Sequence, residues 1–231
     1  MPWLIGGLAE SKGSGNTAGA DGYFGLRLKG SDSMEKNRVE AFSDGLFAIV
    51  ATLLVIELKL PDGPSVWLDL LSIGPKILAF VLSFLIVTMY WVAHHSMFNF
   101  VSRVDRNLLW LNNLSLLCVS FIPFPTAVLG NHPQDPNAIA LYGITLILVN
   151  VTDTLAWSYA ARKPELSGKH LTPHIATLVT WLHLSPVAAY TVAIVAGRFQ
   201  PLLSLAIFVC VPLFFIIPNR WVSGNIRSSV K

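Results

Sequence analysis

The sequence predicts an all-α integral membrane protein with six transmembrane helices per subunit. Two observations carry that expectation. Only 13% of the 231 residues are charged and 53% are hydrophobic, whereas soluble domains carry about 25% charged residues; mean hydropathy is +0.59. Six apolar runs, at residues 39–58, 75–95, 108–129, 137–160, 172–197 and 199–217, are each near the ~20 residues that cross a ~30 Å hydrocarbon core.

Residues 1–33 are Gly- and Ser-rich, show no helical or strand period, and read as a flexible tail. The short apolar patch at 3–9 has no basic residue before it and makes a poor signal peptide. Met34-Glu-Lys-Asn-Arg38 leads straight into the first run and would serve as an alternative start. The expected organisation is a tail at 1–33, a six-helix domain at 34–220 and a C-terminal tail at 221–231. Helix breaks are marked by Pro61-Asp-Gly-Pro64, Arg103-Val-Asp-Arg106, Asn131-His-Pro-Gln-Asp-Pro136 and Arg162-Lys-Pro-Glu165. The last two runs meet at Arg198-Phe-Gln-Pro201, where a tight hairpin is expected. Pro123 and Pro125, Pro186 and Pro212 fall inside runs and are expected to kink or open them.

Charge sets orientation. All of the 16 Lys and Arg except Lys59, Lys76 and Arg198 fall on one side of a six-span topology, and by the positive-inside bias both termini are cytoplasmic in a multi-pass protein of the cell membrane. The net charge of +3 then reflects topology and gives no reason to expect nucleic acid. Cys118 and Cys210 lie inside apolar runs, with neither disulfide nor metal spacing. No Ser-His-Asp order, HExxH, Gly-rich phosphate loop or CxxC occurs, so neither an enzyme nor a cofactor is expected.

The informative stretch is Arg38-Val-Glu-Ala-Phe-Ser-Asp-Gly45 and the run behind it, because ionisable groups inside a membrane span are costly and mark function. At about 100° per residue, Arg38, Phe42, Gly45, Thr52, Leu53 and Ile56 lie within about 60° of Ile49 and form one stripe, apolar through Ile49, Leu53 and Ile56. Ser43 and Asp44 fall well off it. By depth, Ser43 and Asp44 share a layer with Trp91, His94 and His95 of the second run and Asn112 and Asn113 of the third. Polar groups in lipid must be satisfied internally, so a hydrogen-bonded clasp between helices is the favoured reading. A proton relay through Asp44, His94 or His95, and Asp153 is the alternative and would make a proton-coupled secondary transporter. Haem ligation is the poorest option, with only His174 and His183 as further ligands. Asp153, near Asn150 and Thr154, reads as a second clasp.

Arg38-x-x-x-Phe42-Ser43-Asp44 resembles the signature of the transmembrane protein 175 family of potassium channels. The likeness extends through Ile49-x-x-Thr52, Trp91-x-x-His94-His95, Leu109-Trp-Leu-Asn112 and Phe121-Ile-Pro-Phe-Pro125. The resemblance implies a K⁺-selective cation channel, a homotetramer of six-helix subunits with no carbonyl-lined filter, in which four copies of helix 1 line the pore. It places Ile49, Leu53 and Ile56 at the constriction, with Thr52 and Gly45 beside it. Arg38, Phe42, Ser43 and Asp44 would form a brace with Trp91, His94 or His95, and Asn112 or Asn113. The stripe obtained from helix geometry is the same set of constriction residues. Glu57, beyond the stripe, either concentrates cations at the mouth or pairs with Lys59.

Overall fold

A run of apolar residues in lipid has one economical solution, the α-helix, because no water is present to satisfy backbone N–H and C=O groups. The computed structural model describes residues 20–63, 65–168 and 171–216. Its elements are α1 (Ala20–Ile56), α2 (Val66–Ser72), α3 (Gly74–Phe98), α4 (Arg106–Phe121), α5 (Pro123–Asn131), α6 (Pro136–Ala161), α7 (Pro173–Gly197) and α8 (Pro201–Ile216). Helix starts follow from local chemistry. The Asp105 side chain caps the Leu108 N–H at 2.8 Å, Asp135 caps Asn137 at 2.8 Å and Thr172 caps Ile175 at 3.3 Å. Pro136 and Pro173 follow two of these caps, where their missing N–H costs nothing.

Among the described residues five stretches are long and apolar enough to cross a membrane: Lys36–Ile56, Gly74–Phe98, Arg106–Asn131, Pro136–Ala161 and Pro173–Gly197. The sixth expected run appears as α8, which has 16 residues and reaches only about 24 Å at 1.5 Å per residue; residue 217, its expected end, lies outside the described residues. Two features differ from expectation, the start of α1 and a short helix in the α1–α3 connection. α1 begins at Ala20 instead of 39, so helix enters the region read as a tail; residues 1–19 and the expected C-terminal tail lie outside the described residues. As expected from Pro123 and Pro125, the third run is opened at Ile122 into α4 and α5, because neither proline can donate to the helical ladder. The short α2 occupies the α1–α3 connection, with Asp69 accepting from the Gly63 N–H at 3.1 Å and Trp67 and Leu71 exposed. Pro186 and Pro212 sit within continuous α7 and α8.

α6 is the central helix: 61% of its span is buried, against 28% for the span of α1. It packs closely on α7, where an added Cβ at Gly143 would lie 2.6 Å from Ile194 Cγ1 and one at Gly197 would lie 2.7 Å from Ile139 Cγ2. Several polar side chains in this core find one another, although the Tyr190 and Ser204 hydroxyls find no partner among the described residues. Tyr142 and Ser83 are 2.8 Å apart, Thr126 donates to Ser83 at 2.8 Å, and Asn150 donates to Tyr90 at 2.7 Å. At one membrane face the α3–α4 and α6–α7 connections are joined by Ser102 N–H to Leu166 C=O at 2.7 Å and Gly168 N–H to Phe100 C=O at 2.8 Å.

The same face carries Asp105, which accepts from Tyr159 at 2.7 Å and Lys163 at 3.2 Å. Slight burial opposes ionisation of Asp105, but the Leu108 N–H, Tyr159 and Lys163 outweigh it and hold its carboxyl below the usual range. A carboxyl depressed in the fold contributes stability above its unfolded value near ~4 that is lost as pH falls through the folded value. Melting in detergent should therefore drop on acidification below about pH 4, and Asp105→Ala should flatten part of that drop while removing the α4 cap at a cost of ~1 kcal/mol. Gly143→Val should lower the midpoint by overpacking α6 against α7, about 1–3 kcal/mol; unchanged melting of that variant would show that the α6–α7 contact yields freely.

Candidate functional site

The first span has two faces of opposite character. Val39, Ser43, Phe47, Val50 and Leu54 are buried against α3 and α4, the spacing expected of a single helical stripe. On another side Phe42, Ile49, Leu53 and Ile56 stand 60%, 59%, 41% and 60% exposed. An added Cβ on Gly45 meets nothing within 4 Å, and the Thr52 hydroxyl folds back on the Ile49 carbonyl at 2.8 Å. The sequence-derived stripe is thus an uncovered apolar face within one chain. Arg38 and Phe42 continue it into a cavity of about 540 Å³ that Asp105, Arg106, Leu109 and Asn113 also line.

Behind this face lies a hydrogen-bonded layer. Ser43 Oγ–H donates to its own helix at Val39 C=O, 2.9 Å away, which leaves the oxygen free to accept from Asn112 Nδ2–H at 3.3 Å. Asn112 Oδ1 can only accept, so His94 Nε2 carries the proton of the 2.8 Å bond between them. One amide therefore joins α1, α4 and α3. His94 is further fixed by Phe98, stacked at 4.6 Å between ring centroids, and by Phe47 at 5.6 Å. A second bond, Trp91 Nε1–H to Asp44 Oδ1 at 2.8 Å, ties α3 to α1 nearer the surface.

These contacts resolve two choices that helix geometry leaves open. His94 and Asn112 take the bridging positions; His95 instead stacks on Trp91 at 6.1 Å, and Asn113 faces the cavity beside Arg38. Asp153 accepts from Ser115 of α4, not from Asn150 or Thr154 on its own helix. Phe98 and Ser115 are the residues that pattern reading missed. Ser115 carried a signal, since it lies three residues after Asn112 and so on the same side of α4; Phe98 carried none. Among the described residues Glu57 and Lys59 form no ion pair, and Glu57 lines a cavity with Leu53, Phe121, Phe124 and His132. His174 and His183 join no cluster able to hold a metal ion among the described residues.

The family model described as endosomal/lysosomal potassium channel TMEM175 matches residues 38–123. A potassium channel of Chryseobacterium sp. (strain P1-3) is 32% identical over 196 residues, which cover 85% of this chain and 100% of that protein. The chain belongs to the TMEM175 family. The crystal structure of a lysosomal potassium-selective channel TMEM175 homolog from Chamaesiphon minutus matches with a TM-score of 0.70 at 33% identity, covering 79% of this chain and 96% of that one. Human endosomal/lysosomal proton channel TMEM175 is 35% identical over 144 residues, 56% of this chain and 29% of the human protein. The matched region of the family model begins at Arg38 and ends at Pro123, so it contains both sides of the Ser43–Asn112–His94 layer.

Asn112→Leu should remove the bridge and leave His94 and Ser43 buried without it, at about 1–3 kcal/mol. Asn112→Asp keeps the acceptor for His94 and should lose less. The check is thermal unfolding in detergent, and equal melting of the wild type and Asn112→Leu would count against the bridge.

Proposed function

We propose that this TMEM175-family chain is one subunit of a homotetrameric, K⁺-selective channel in the cell membrane, with four copies of α1 around the pore. The observation that carries this reading is the uncovered stripe of Ile49, Leu53 and Ile56, standing on a helix whose opposite face is packed and hydrogen-bonded. A lipid-facing helix needs no such brace, whereas a pore helix does, because the pore radius is set by its rotation. Four inward isoleucines make a narrow ring that stops flow by dewetting and requires an ion to shed water. K⁺ is more weakly hydrated than Na⁺ and loses less there, which is the basis offered for its selectivity. Gly45 and Thr52, on the flank of the stripe, allow neighbouring copies of α1 to approach closely.

In this reading the brace residues do not meet the ion. Arg38 and Phe42 lie at the inner mouth, and Ser43, Asp44, Trp91, His94 and Asn112 hold α1 against α3 and α4. α8 is the sixth crossing in this reading. Both termini are then cytoplasmic, as the Lys and Arg distribution favours. The named activities of the relatives support K⁺ as the permeant ion. A proton relay through Asp44 is less well supported: its partner is an indole N–H, which donates a hydrogen bond but accepts no proton. The animal relatives are nonetheless named as proton channels, so the test includes a pH gradient.

Reconstituted in liposomes, the protein should pass K⁺ down an imposed K⁺ gradient with no need for a pH gradient. Uptake that required the pH gradient would favour the coupled transporter, and no flux would remove the channel reading. Ile49→Asn should raise flux and weaken the preference for K⁺ over Na⁺, by about tenfold or more if the ring supplies 1.4 kcal/mol or more of the barrier. Currents unchanged in that variant would take Ile49 out of the pore.

A further inference from the structure

Among the described residues an apolar groove remains between α3 and α8. We infer that it holds one acyl chain of a membrane phospholipid, entering from the face that carries the α1–α3 connection.

The groove has a volume of about 570 Å³ and is walled by Leu78 and Leu85 of α3 and by Leu202, Leu205 and Val209 of α8. On each helix the lining residues recur at three- and four-residue steps, so two whole helix faces look at each other across it. Two of the lining residues are small, the buried Ala79 of α3 and the exposed Ala206 of α8, which leaves room between the faces. Its length suits the occupant. Pro75 and Leu85 are ten residues apart, about 15 Å along a helix, which is one leaflet of a ~30 Å core. Pro212 closes the mid-membrane end, and Gln134 at the other end is the polar lining residue, placed where an ester or headgroup would sit.

Orientation selects lipid over a second copy of the chain. Val87 and Trp91, with Asp44 and Phe47, line the cleft between α3 and α1. At about 100° per residue, Leu78, Leu82 and Leu85 lie about 120–180° around α3 from Val87 and Trp91, on the far side of the helix from the α1 contact. If copies assemble around α1, the groove faces outward into the bilayer; the inference rests on the tetrameric reading for this exposure. A chain held there would join α3, which carries His94 of the brace, to α8.

The test is native mass spectrometry of the intact assembly extracted from membranes in detergent. The wild type should retain one phospholipid per subunit. Ala206→Trp, which fills the groove, should lose it, and Leu203→Trp, on another side of α8 and half-exposed, should keep it. Val209→Trp enters from the mid-membrane end and should also lose the lipid, which covers the case that Ala206→Trp fails to assemble. Retention of lipid by the groove variants, equal loss in Leu203→Trp, or a wild type carrying only detergent would each overturn the inference. The same spectra weigh the assembly, so a wrong subunit number is seen separately from a lost lipid.

Discussion

The side-chain amide of Asn112 is the contact on which the arrangement of the first span depends. It accepts from His94 and donates to Ser43, and so links three helices at one depth. In water such bonds contribute little net stability, because solvent offers an equal partner. In a membrane interior the alternative is an unsatisfied polar group, and the three residues enforce one rotation of α1 as well as holding it in place. α1 needs this more than its neighbours. Only 28% of its span is buried, so apolar packing through Phe47, Val50 and Leu54 leaves it more freedom to turn than α6 has.

The exposure of Ile49, Leu53 and Ile56 follows from that rotation. Turning α1 by one residue step, about 100°, would bring Asp44 or the Ser43 side toward the open face and put leucine and isoleucine where polar partners wait. The charged signature and the apolar stripe are therefore two halves of one constraint. Asp44, an ionisable residue near the start of the span, is tied to Trp91.

The interior of the subunit repeats the same logic without charge pairs. Ser83, Tyr142 and Thr126, then Tyr90 and Asn150, then Ser115 and Asp153 form hydrogen-bonded sets at successive depths. Together they give α3, α4, α5 and α6 a defined register, which uniformly apolar helices in lipid would lack. The Gly143 and Gly197 contacts do the same for α6 and α7 by shape.

Much of this was legible in the sequence, because helical period and membrane thickness are local constraints. Composition and run length determined an all-helical membrane protein, and among the described residues five of the runs are helical stretches long and apolar enough to span. The 3.6-residue period determined the stripe on α1 and separated it from Ser43 and Asp44. Run length alone joined α4 and α5, while Pro123 and Pro125, which lack the donor the helix needs, marked where they part. What remained open depended on contacts between distant segments. Spacing could not choose His94 over His95 or Asn112 over Asn113: adjacent residues lie at nearly equal depth and differ by about 100°, and only the position of α1 decides which one points inward. The same holds for Ser115 as the partner of Asp153. Periodicity determined what each helix offers; the tertiary structure decided which offer is taken, because a hydrogen bond in lipid forms only where two helices bring both groups to the same depth and side.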